Sequence, residues 1–539
     1  MNAKRDFILA VSLANLCFLE RWSILSGPFD SYLFPNHPFH SLILPLLCSE
    51  LLLAALFFAG ARLFRRVRSP VFVNSLRLLF LAVCVISVNS IRWHLFHMAP
   101  EAVLQSFSSQ DLFVVSTVIA VPFLWFIIWR QNLSVRTAVV ILLVFAPLAP
   151  ITLGRLAWFS YQLPPPLAFR DKPLAPTLVP KPNSPRFLWI IFDELDSRLV
   201  FDRRPKSVSL PEFDRFRSES LDATRVRPPA NWTTLSVPSL LAGRDFSVAG
   251  VSRPDELLVT EKEGGRQSDF TKLPNVFTDA RQAGFNTGIV GWHHPYGRLL
   301  NASLTACYWQ PGSNGAGVND LDNPTLPVAI WRTLRTQLTL FPLIRRLNII
   351  DPKNGMRSIH LAKFVRMRPK AIEFATNRNL GLVLLHLPIP HPPGIYDRRQ
   401  KKLSLDDSSD YLDNLALADK TLGDLRRAME ANGTWNGTTI LVSSDHPLRP
   451  GLWKGSSEWN ADLQAATSGN QQPYVPFLLK MPGYWGHVPY EADFDSVLTR
   501  DLIRLVMNGD VVNPQQVAEW LDERRSITLG PNITTRLLN

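Results

Sequence analysis

Long apolar runs lie almost entirely in the first 160 residues of this 539-residue chain, although hydrophobic residues make up 46% of the whole. A helix that crosses the hydrocarbon core of a membrane needs about 20 mostly apolar residues. Five stretches meet that requirement, approximately 7–27, 40–61, 71–91, 112–129 and 137–156. The first is the weakest because it contains Glu20 and Arg21. Residues 1–160 are therefore predicted to form an N-terminal α-helical membrane bundle of about five transmembrane helices.

Positive charge beside these stretches predicts how the chain is oriented. The net charge is +12, and basic residues flank alternate ends of the stretches: Lys4, Arg5, the Arg62–Arg68 cluster, Arg130 and Arg136. Cytoplasmic loops of membrane proteins carry an excess of Lys and Arg. With five spans, this rule places everything after residue 160 outside the cytoplasm. Because the sequence has no zinc finger, aromatic RNA-binding motif or Lys-rich tail, we attribute the basic charge to topology and expect no nucleic-acid partner.

The pattern changes after the membrane half. Residues 161–185 are rich in proline, which favours a stiff, extended spacer. Short, continuous apolar runs then alternate with amphipathic stretches; the runs lie at 187–192, 287–292, 380–387, 438–444 and 475–481. Continuous apolar strands that alternate with helices are typical of an α/β sandwich with a largely parallel sheet. We expect this domain to span residues 186–539.

Acidic and imidazole side chains follow the predicted strands, where sites form at the carboxyl ends of parallel sheets. The candidate metal ligands are Asp193, Glu194, Asp445 and His446, and His293, His294, His386 and His391 lie nearby in the pattern. Clustered carboxylates repel one another unless a cation is bound. Mixed carboxylate and imidazole ligands suit one divalent ion, Zn²⁺ or Mn²⁺ rather than Ca²⁺. The alternative for each acidic residue alone is a helix cap.

A nucleophile is predicted in the segment NWTTLSVPSLLAGR, residues 231–244. Its paired threonines, Thr233 and Thr234, enter a predicted helix, and the positive end of a helix dipole favours a hydroxyl that must lose its proton. A bound metal would lower the pKa of that hydroxyl further. Taken alone, the same pattern also fits an ordinary helix cap.

These motifs together resemble the sulfatases of the alkaline phosphatase superfamily, in the same order along the chain over about 186–485. The matching segments are IIFDELD, SVPSLLAGR, AGFNTGIVGWHH, PIPHPP, SSDHP, WKGSSEW and YVPFLLKMPG. The resemblance implies an alkaline phosphatase/sulfatase-type sandwich, with Thr233 as nucleophile and His294, His391 and Lys454 as further catalytic residues. Five spans before such a domain also resemble phosphoethanolamine transferases and lipoteichoic acid synthases.

Some residues depart from the family pattern. Thr233 cannot become formylglycine, so ordinary sulfatase chemistry is not expected. His446 stands where calcium-binding sulfatases have Asn, and Trp292 stands where they have Lys. The four cysteines, Cys17, Cys48, Cys84 and Cys307, form no disulfide framework of the kind the transferases carry. Whether Asp193, Glu194 or both bind the metal stays open, as does the choice between His293 and His294; His386 is expected to be structural.

The resemblance implies a function. We expect a transferase that moves a phospholipid-derived phospho head group, such as phosphoethanolamine or phosphoglycerol, through a phospho-Thr intermediate. Its donor would be a phospholipid or other phosphoester and its acceptor an envelope glycan or lipid. The expected location is the bacterial inner membrane, multi-pass, with the catalytic domain periplasmic. The alternatives are a phosphoester or sulfate ester hydrolase of the same superfamily and a catalytically silent membrane binding protein.

Overall fold

The structure, a computed structural model, describes residues 3–25, 32, 40–96, 125–126, 129–162, 171–180, 184–312, 325–338, 352–406, 408–454, 458–469 and 474–528. The chain divides into two compact units. The first comprises Met1–Ser31, His37–Ala168 and Ala316–Pro352, and the second comprises Tyr32–Asn36, Phe169–Gly315 and Lys353–Asn539.

The elements of both units follow in chain order. The helices are α1 (Ala3–Leu25), α2 (His40–Phe64), α3 (Pro70–Phe96), α4 (Gln131–Phe145), α5 (Leu148–Gln162), α6 (Pro211–Ser218), α7 (Thr233–Ala242), α8 (Val276–Gln282), α9 (Tyr296–Leu299), α10 (Leu326–Leu338), α11 (Pro352–Thr376), α12 (Tyr411–Asn432), α13 (Pro450–Trp453), α14 (Ala461–Thr467), α15 (Thr499–Asn508) and α16 (Pro514–Thr528). The strands are β1 (Phe187–Phe192), β2 (Leu221–Arg227), β3 (Phe246–Arg253), β4 (Glu256–Glu261), β5 (Gln267–Asp269), β6 (Thr287–His293), β7 (Ala306–Pro311), β8 (Leu382–Leu387), β9 (Tyr396–Asp397), β10 (Lys402–Leu403), β11 (Thr439–Ser443), β12 (Val475–Lys480), β13 (Val488–Tyr490) and β14 (Phe494–Asp495).

The first unit is helical where it is described. Two of its helical stretches, Ile43–Phe64 and Gln131–Trp158, are long and apolar enough to cross a membrane, while Pro70–Val85 is apolar but shorter. Most of the span predicted at 112–129 lies outside the described residues. Two such helices are weak evidence for membrane anchoring, so the count of five spans stays a prediction.

Glu50 of α2 is a buried charged residue of the first unit whose carboxylate is hydrogen-bonded by neighbouring side chains. Its carboxylate is buried and accepts hydrogen bonds from Asn15 Nδ2 at 3.1 Å and Trp22 Nε1 at 2.5 Å. Both carboxylate oxygens have protein donors, so the contacts explain the burial of Glu50 without a functional role.

The second unit is built on a mixed sheet with the order β13-β2-β12-β11-β1-β8-β6-β7, and β14 pairs with β2. Five neighbouring strands, β11, β1, β8, β6 and β7, run parallel, whereas β12 is antiparallel to both β11 and β2. Ile191 of β1 lies opposite Ser443 of β11 and His386 of β8, so the carboxyl ends of these three strands meet at one edge. The predicted mixed α/β fold is confirmed.

Both faces of the sheet are covered, which explains why its strands are apolar without alternation. Phe187, Trp189 and Ile191 of β1 enter one core, which includes residues of α7, α8 and α15. The intervening residues of β1 enter a second core, with residues of α6, α11 and α12. This is the layered sandwich that the continuous runs predict, and it leaves the strand ends as the place where polar groups gather.

Candidate active site

Three of the predicted ligands meet at the carboxyl ends of β1 and β11. Asp193 follows β1, Asp445 and His446 follow β11 after Ser444, and all three side chains are buried. One ligand atom from each lies within 4.8 Å of the others. His446 Nε2 is 3.7 Å from Asp193 Oδ1 and 3.4 Å from Asp445 Oδ2. We call these three residues the acidic cluster.

Thr233 is brought to the acidic cluster by the start of α7. Its Oγ1 lies 3.3 Å from Asp193 Oδ2, to which it donates, and 3.2 Å from His446 Nε2. Ser236, one turn later, donates to the carbonyl oxygen of Asp445 at 2.5 Å and ties the helix to the end of β11. The hydroxyl of Thr233 is therefore held at a helix N-terminus, where the dipole favours negative charge.

The electrostatics of the acidic cluster separate its two carboxyl groups. Burial alone would raise the pKa of Asp193, but the neighbouring imidazoles of His386, His391 and His446 lower it below its ordinary value. Burial raises the pKa of Asp445, and the adjacent Asp193 raises it further. Two carboxylates that share one buried site repel each other in this way when nothing else compensates their charge.

Glu194 lies next to Asp193 in the chain but turns to different partners. Its backbone adopts a positive φ of 65°, an uncommon conformation for a residue with a side chain. Its Oε1 accepts from Arg449 Nε at 2.7 Å, from the Arg449 backbone N–H at 3.2 Å and from Trp453 Nε1 at 3.3 Å. Burial would lower the pKa of Arg449, yet the Glu194 carboxylate raises it above its ordinary value. We call Glu194 and Arg449 the arginine pair.

His294 is buried and bonded through both ring nitrogens. Its Nε2 lies 3.1 Å from the carbonyl oxygen of Thr233, and its Nδ1 lies 2.7 Å from the hydroxyl of Tyr32. Burial lowers the pKa of His294 to about 3, so the ring is neutral at pH 7. These contacts direct His294 to the backbone of Thr233. Its neighbour His293, the competing candidate, instead bonds the hydroxyl of Thr234 at 2.9 Å.

His391 and Lys454 occupy more open positions. His391 Nε2 is 3.3 Å from Arg449 Nη2 and 3.8 Å from Glu194 Oε2, and 18% of its side chain is exposed. Lys454 follows α13 and is exposed, next to residues 455–457, which lie outside the described part of the chain. His391 thus borders the site, while the structure brings no contact of Lys454 to it among the described residues.

The structure also gives site contacts that the sequence patterns did not predict. Trp292 donates from Nε1 to Asp193 Oδ2 at 2.8 Å, and Arg449 pairs with Glu194. Trp292 is the last residue of the predicted run 287–292 and Arg449 comes shortly after the run 438–444, which is the signal that could have found them. Tyr32 lies 262 residues from His294 in the chain, and no motif marks it. His386 is buried with Nδ1 2.8 Å from Tyr296 Oη, while its Nε2 is 3.7 Å from Asp193 Oδ2.

The acidic cluster fits a divalent cation. Asp193 Oδ1 and Asp445 Oδ2 are buried and have no hydrogen-bond partner among the residues that the structure describes. A buried anionic oxygen without a partner is costly, and a metal ion removes that cost. Asp193, Asp445 and His446 would hold the ion. Glu194 Oε2 is also buried without a partner, but Glu194 lies outside the group of ligand atoms that converge within 4.8 Å.

Comparison with known proteins agrees with the fold. A family model named Sulfatase matches residues 185–497, more than half of the chain. No curated protein matches significantly. Similar solved structures include Ps i-CgsB in complex with k-i-k-neocarrahexaose (14% identity, TM-score 0.41, 62% of this chain and 74% of that chain). Others are murine ectonucleotide pyrophosphatase/phosphodiesterase 5 (12%, 0.35, 60% and 95%) and the phosphonate monoester hydrolase from Silicibacter pomeroyi (14%, 0.38, 60% and 73%). The match over residues 185–497 confirms the resemblance read from the motifs, and the chain is an enzyme of the sulfatase family.

Proposed function

We propose that this enzyme is a membrane-anchored phosphotransferase that carries a phospholipid-derived head group on Thr233 and passes it to an envelope acceptor. The observation that carries the proposal is the placement of the Thr233 hydroxyl. It lies at the N-terminus of α7, 3.3 Å from Asp193 Oδ2 and beside carboxylate oxygens that receive no hydrogen bond from the described residues. A threonine in that position supports an ester intermediate, since it has no route to formylglycine.

The apolar helices support the membrane part of the proposal. Ile43–Phe64 and Gln131–Trp158 are long and apolar enough to anchor the chain. Together with the basic residues beside the apolar stretches, they favour a multi-pass protein of the bacterial inner membrane with its second unit in the periplasm. A donor in the same membrane, a phospholipid with a phosphoethanolamine or phosphoglycerol head group, would then be at hand. The acceptor would be an envelope glycan or lipid.

Each step can be assigned to residues of this chain. A divalent cation held by Asp193, Asp445 and His446, Zn²⁺ or Mn²⁺ from the donor set, would supply positive charge that lowers the pKa of a hydroxyl and offsets charge on phosphoryl oxygens. Thr233 Oγ1 loses its proton to solvent and attacks the phosphorus of the donor. The bond from phosphorus to the leaving oxygen breaks, and His391 gives that oxygen a proton.

The second displacement reverses the proton movements. The acceptor hydroxyl gives its proton to His391 and attacks the phosphorus, and the bond to Thr233 Oγ1 breaks. Thr233 then recovers its proton from solvent. Arg449 lies beside His391, and we assign it with Lys454 to the charge of the phosphoryl oxygens.

The test compares Thr233→Ala with Thr234→Ala in the full-length chain. Thr233→Ala is expected to abolish turnover of a phospholipid donor while its divalent metal content stays at the wild-type level. Thr234→Ala removes the neighbouring hydroxyl, which bonds His293, and should retain the Thr233 adduct. Mass spectrometry should find phosphate or a substituted phosphate on Thr233, and the adduct mass identifies the donor. Near-normal turnover of Thr233→Ala would overturn the proposal.

A hydrolase of phosphoesters or sulfate esters is the second candidate, because the family match is to sulfatases. It differs from the transferase only in the second displacement, where water replaces the acceptor. Product analysis separates the two: the transferase places the head group on an added acceptor, whereas the hydrolase releases it to water at the same rate with or without acceptor. A silent binding protein would form no adduct on Thr233.

A further inference from the structure

Tyr32 is a member of the second unit although it comes from the chain segment between α1 and α2. Its side chain is fully buried and belongs to the same core as β1 and α7. The phenol oxygen lies 2.7 Å from His294 Nδ1, and the two rings meet edge to face with centroids 6.0 Å apart. A residue far from the family match therefore reaches the back of the candidate active site.

The directions of the hydrogen bonds follow from the chemistry of the three groups. The carbonyl oxygen of Thr233 can only accept, so His294 Nε2 carries a hydrogen and donates it across 3.1 Å. In a neutral imidazole the other nitrogen is then an acceptor, and the hydroxyl of Tyr32 is the donor to it. The bond from Tyr32 thus selects the tautomer of His294 that can hold the Thr233 carbonyl.

The position of that carbonyl matters because Thr233 is the first residue of α7. The N-cap residue of α7, Trp232, makes no side-chain capping hydrogen bond. The hydrogen bond from His294 to the Thr233 carbonyl therefore anchors the start of the helix. The hydroxyl bonds on the other side of Thr233 are long, 3.3 Å to Asp193 and 3.2 Å to His446. A small displacement of the Thr233 backbone would therefore lengthen or break them, and misplacement by about 1 Å can cost 100-fold in rate.

We infer that Tyr32 is a positioning residue of the active site, which acts through the tautomer of His294 to fix Thr233 for attack. The inference rests on the proposed role of Thr233. It also means that the family-matched residues 185–497 do not contain every group that shapes the site, because Tyr32 lies outside them.

The experiment measures kcat, KM, metal content and melting temperature of the full-length chain for Tyr32→Phe. Phenylalanine keeps the ring in the core and removes only the hydroxyl. One hydrogen bond contributes about 0.5–1.5 kcal/mol, so kcat should fall by about two- to tenfold, with KM and metal content unchanged. Tyr490→Phe is the matched control, because Tyr490 is also buried and its hydroxyl donates to Asp522, away from the acidic cluster. Wild-type kcat in Tyr32→Phe would overturn the inference.

A double-mutant cycle separates this role from general packing. If Tyr32 acts through His294, Tyr32→Phe should lower kcat in the wild-type background and cause no further loss in His294→Leu. An equal loss in both backgrounds would contradict the inference. Should Tyr32→Phe fail to fold, His294→Gln decides. Its amide can donate to the Thr233 carbonyl and accept from Tyr32, so it should keep more activity than His294→Leu, and equal losses would count against the relay.

The outcome for Thr233→Ala keeps the two proposals apart. If Thr233→Ala is inactive and Tyr32→Phe is normal, the role of Tyr32 fails and the proposed function stands. If Thr233→Ala retains turnover and carries no adduct, the proposed function itself fails, whatever Tyr32→Phe shows.

Discussion

Asp193 and Glu194 are consecutive residues after the same strand. The acidic cluster and the arginine pair to which they belong nevertheless differ in how their buried negative charge is compensated. In the acidic cluster, Asp193 Oδ1 and Asp445 Oδ2 are left without a donor. In the arginine pair, Glu194 Oε1 receives two hydrogen bonds from Arg449, so the carboxylate has a protein cation beside it even though its Oε2 accepts no hydrogen bond among the described residues. The cluster therefore requires a cation from outside the protein, whereas the pair contains its own.

The physical cause of the difference lies in the backbone. Glu194 adopts a positive φ, and its side chain turns toward Arg449 and Trp453. Its N–H still donates to Asp445 Oδ1 at 3.2 Å, which links the two regions. One dipeptide thus contributes its first residue to the candidate metal site and its second to a protein ion pair.

The largest expected effect is the combined loss of bound metal and turnover. It tests the comparison because it should appear when Asp193 is changed and not when Glu194 is changed. Asp193→Asn should lose bound metal and reduce turnover by about 1000-fold, because a metal contributes several kcal/mol of charge stabilisation. Glu194→Gln should retain the metal and lose about 10- to 100-fold, the range typical of groups around a metal site. Metal analysis of both purified variants beside the wild type is the measurement. Metal retained in Asp193→Asn and lost in Glu194→Gln would reverse our assignment.

A second, smaller effect concerns stability. Arg449→Ala leaves the buried Glu194 carboxylate without its cation, and breaking a buried pair costs about 3 kcal/mol or more. The thermal transition of the second unit should therefore move down by several degrees. The double variant Arg449→Ala with Glu194→Gln removes the stranded charge and should recover much of that loss. If the double variant melts as low as Arg449→Ala, loss of packing on Trp232 is the better explanation, since Arg449 lies 4.7 Å over that ring.

The same comparison shows which parts of the fold and of the candidate site could be predicted from the sequence. The apolar runs predicted β1, β6, β8, β11 and β12, and the rule for strand ends predicted that Asp193, Asp445 and His446 would converge. These follow from periodicity and from the parallel register, both of which are local or generic properties. Thr233 was placed by motif order, and the structure brings its hydroxyl to the same cluster.

Other features could not be predicted from patterns. The direction of the Glu194 side chain depends on a single backbone torsion, and strand-end placement does not specify it. Tyr32 meets His294 only through tertiary folding across 262 residues. His294 was expected to move protons, but the acceptor of its Nε2–H is a backbone carbonyl, which no motif encodes. Sequence patterns identify which chemistry gathers at the sheet edge and leave open which group faces which.

The smallest expected effect comes from a buried lysine. Lys363 of α11 is fully buried, its Nζ has no hydrogen-bond partner in the described part of the chain, and burial lowers its pKa to about 7. An unfolded lysine has a pKa of about 10.4, so between pH 7 and about 10 the unfolded state binds more protons and this residue makes stability rise with pH.

Lys363→Met keeps the length of the side chain and removes the charge. The variant should melt higher than the wild type at pH 7, and the difference should shrink as the pH approaches 10. Lys370→Met on the same helix is the control, because Lys370 pairs at the surface with Glu373 and such pairs contribute little. A wild-type melting temperature at pH 7, or a difference that does not change with pH, would mean that Lys363 has a partner in solution. Lys363 would then resemble Arg449, a buried cation whose charge is balanced within the protein. The acidic cluster alone would remain as a buried charge without such balance.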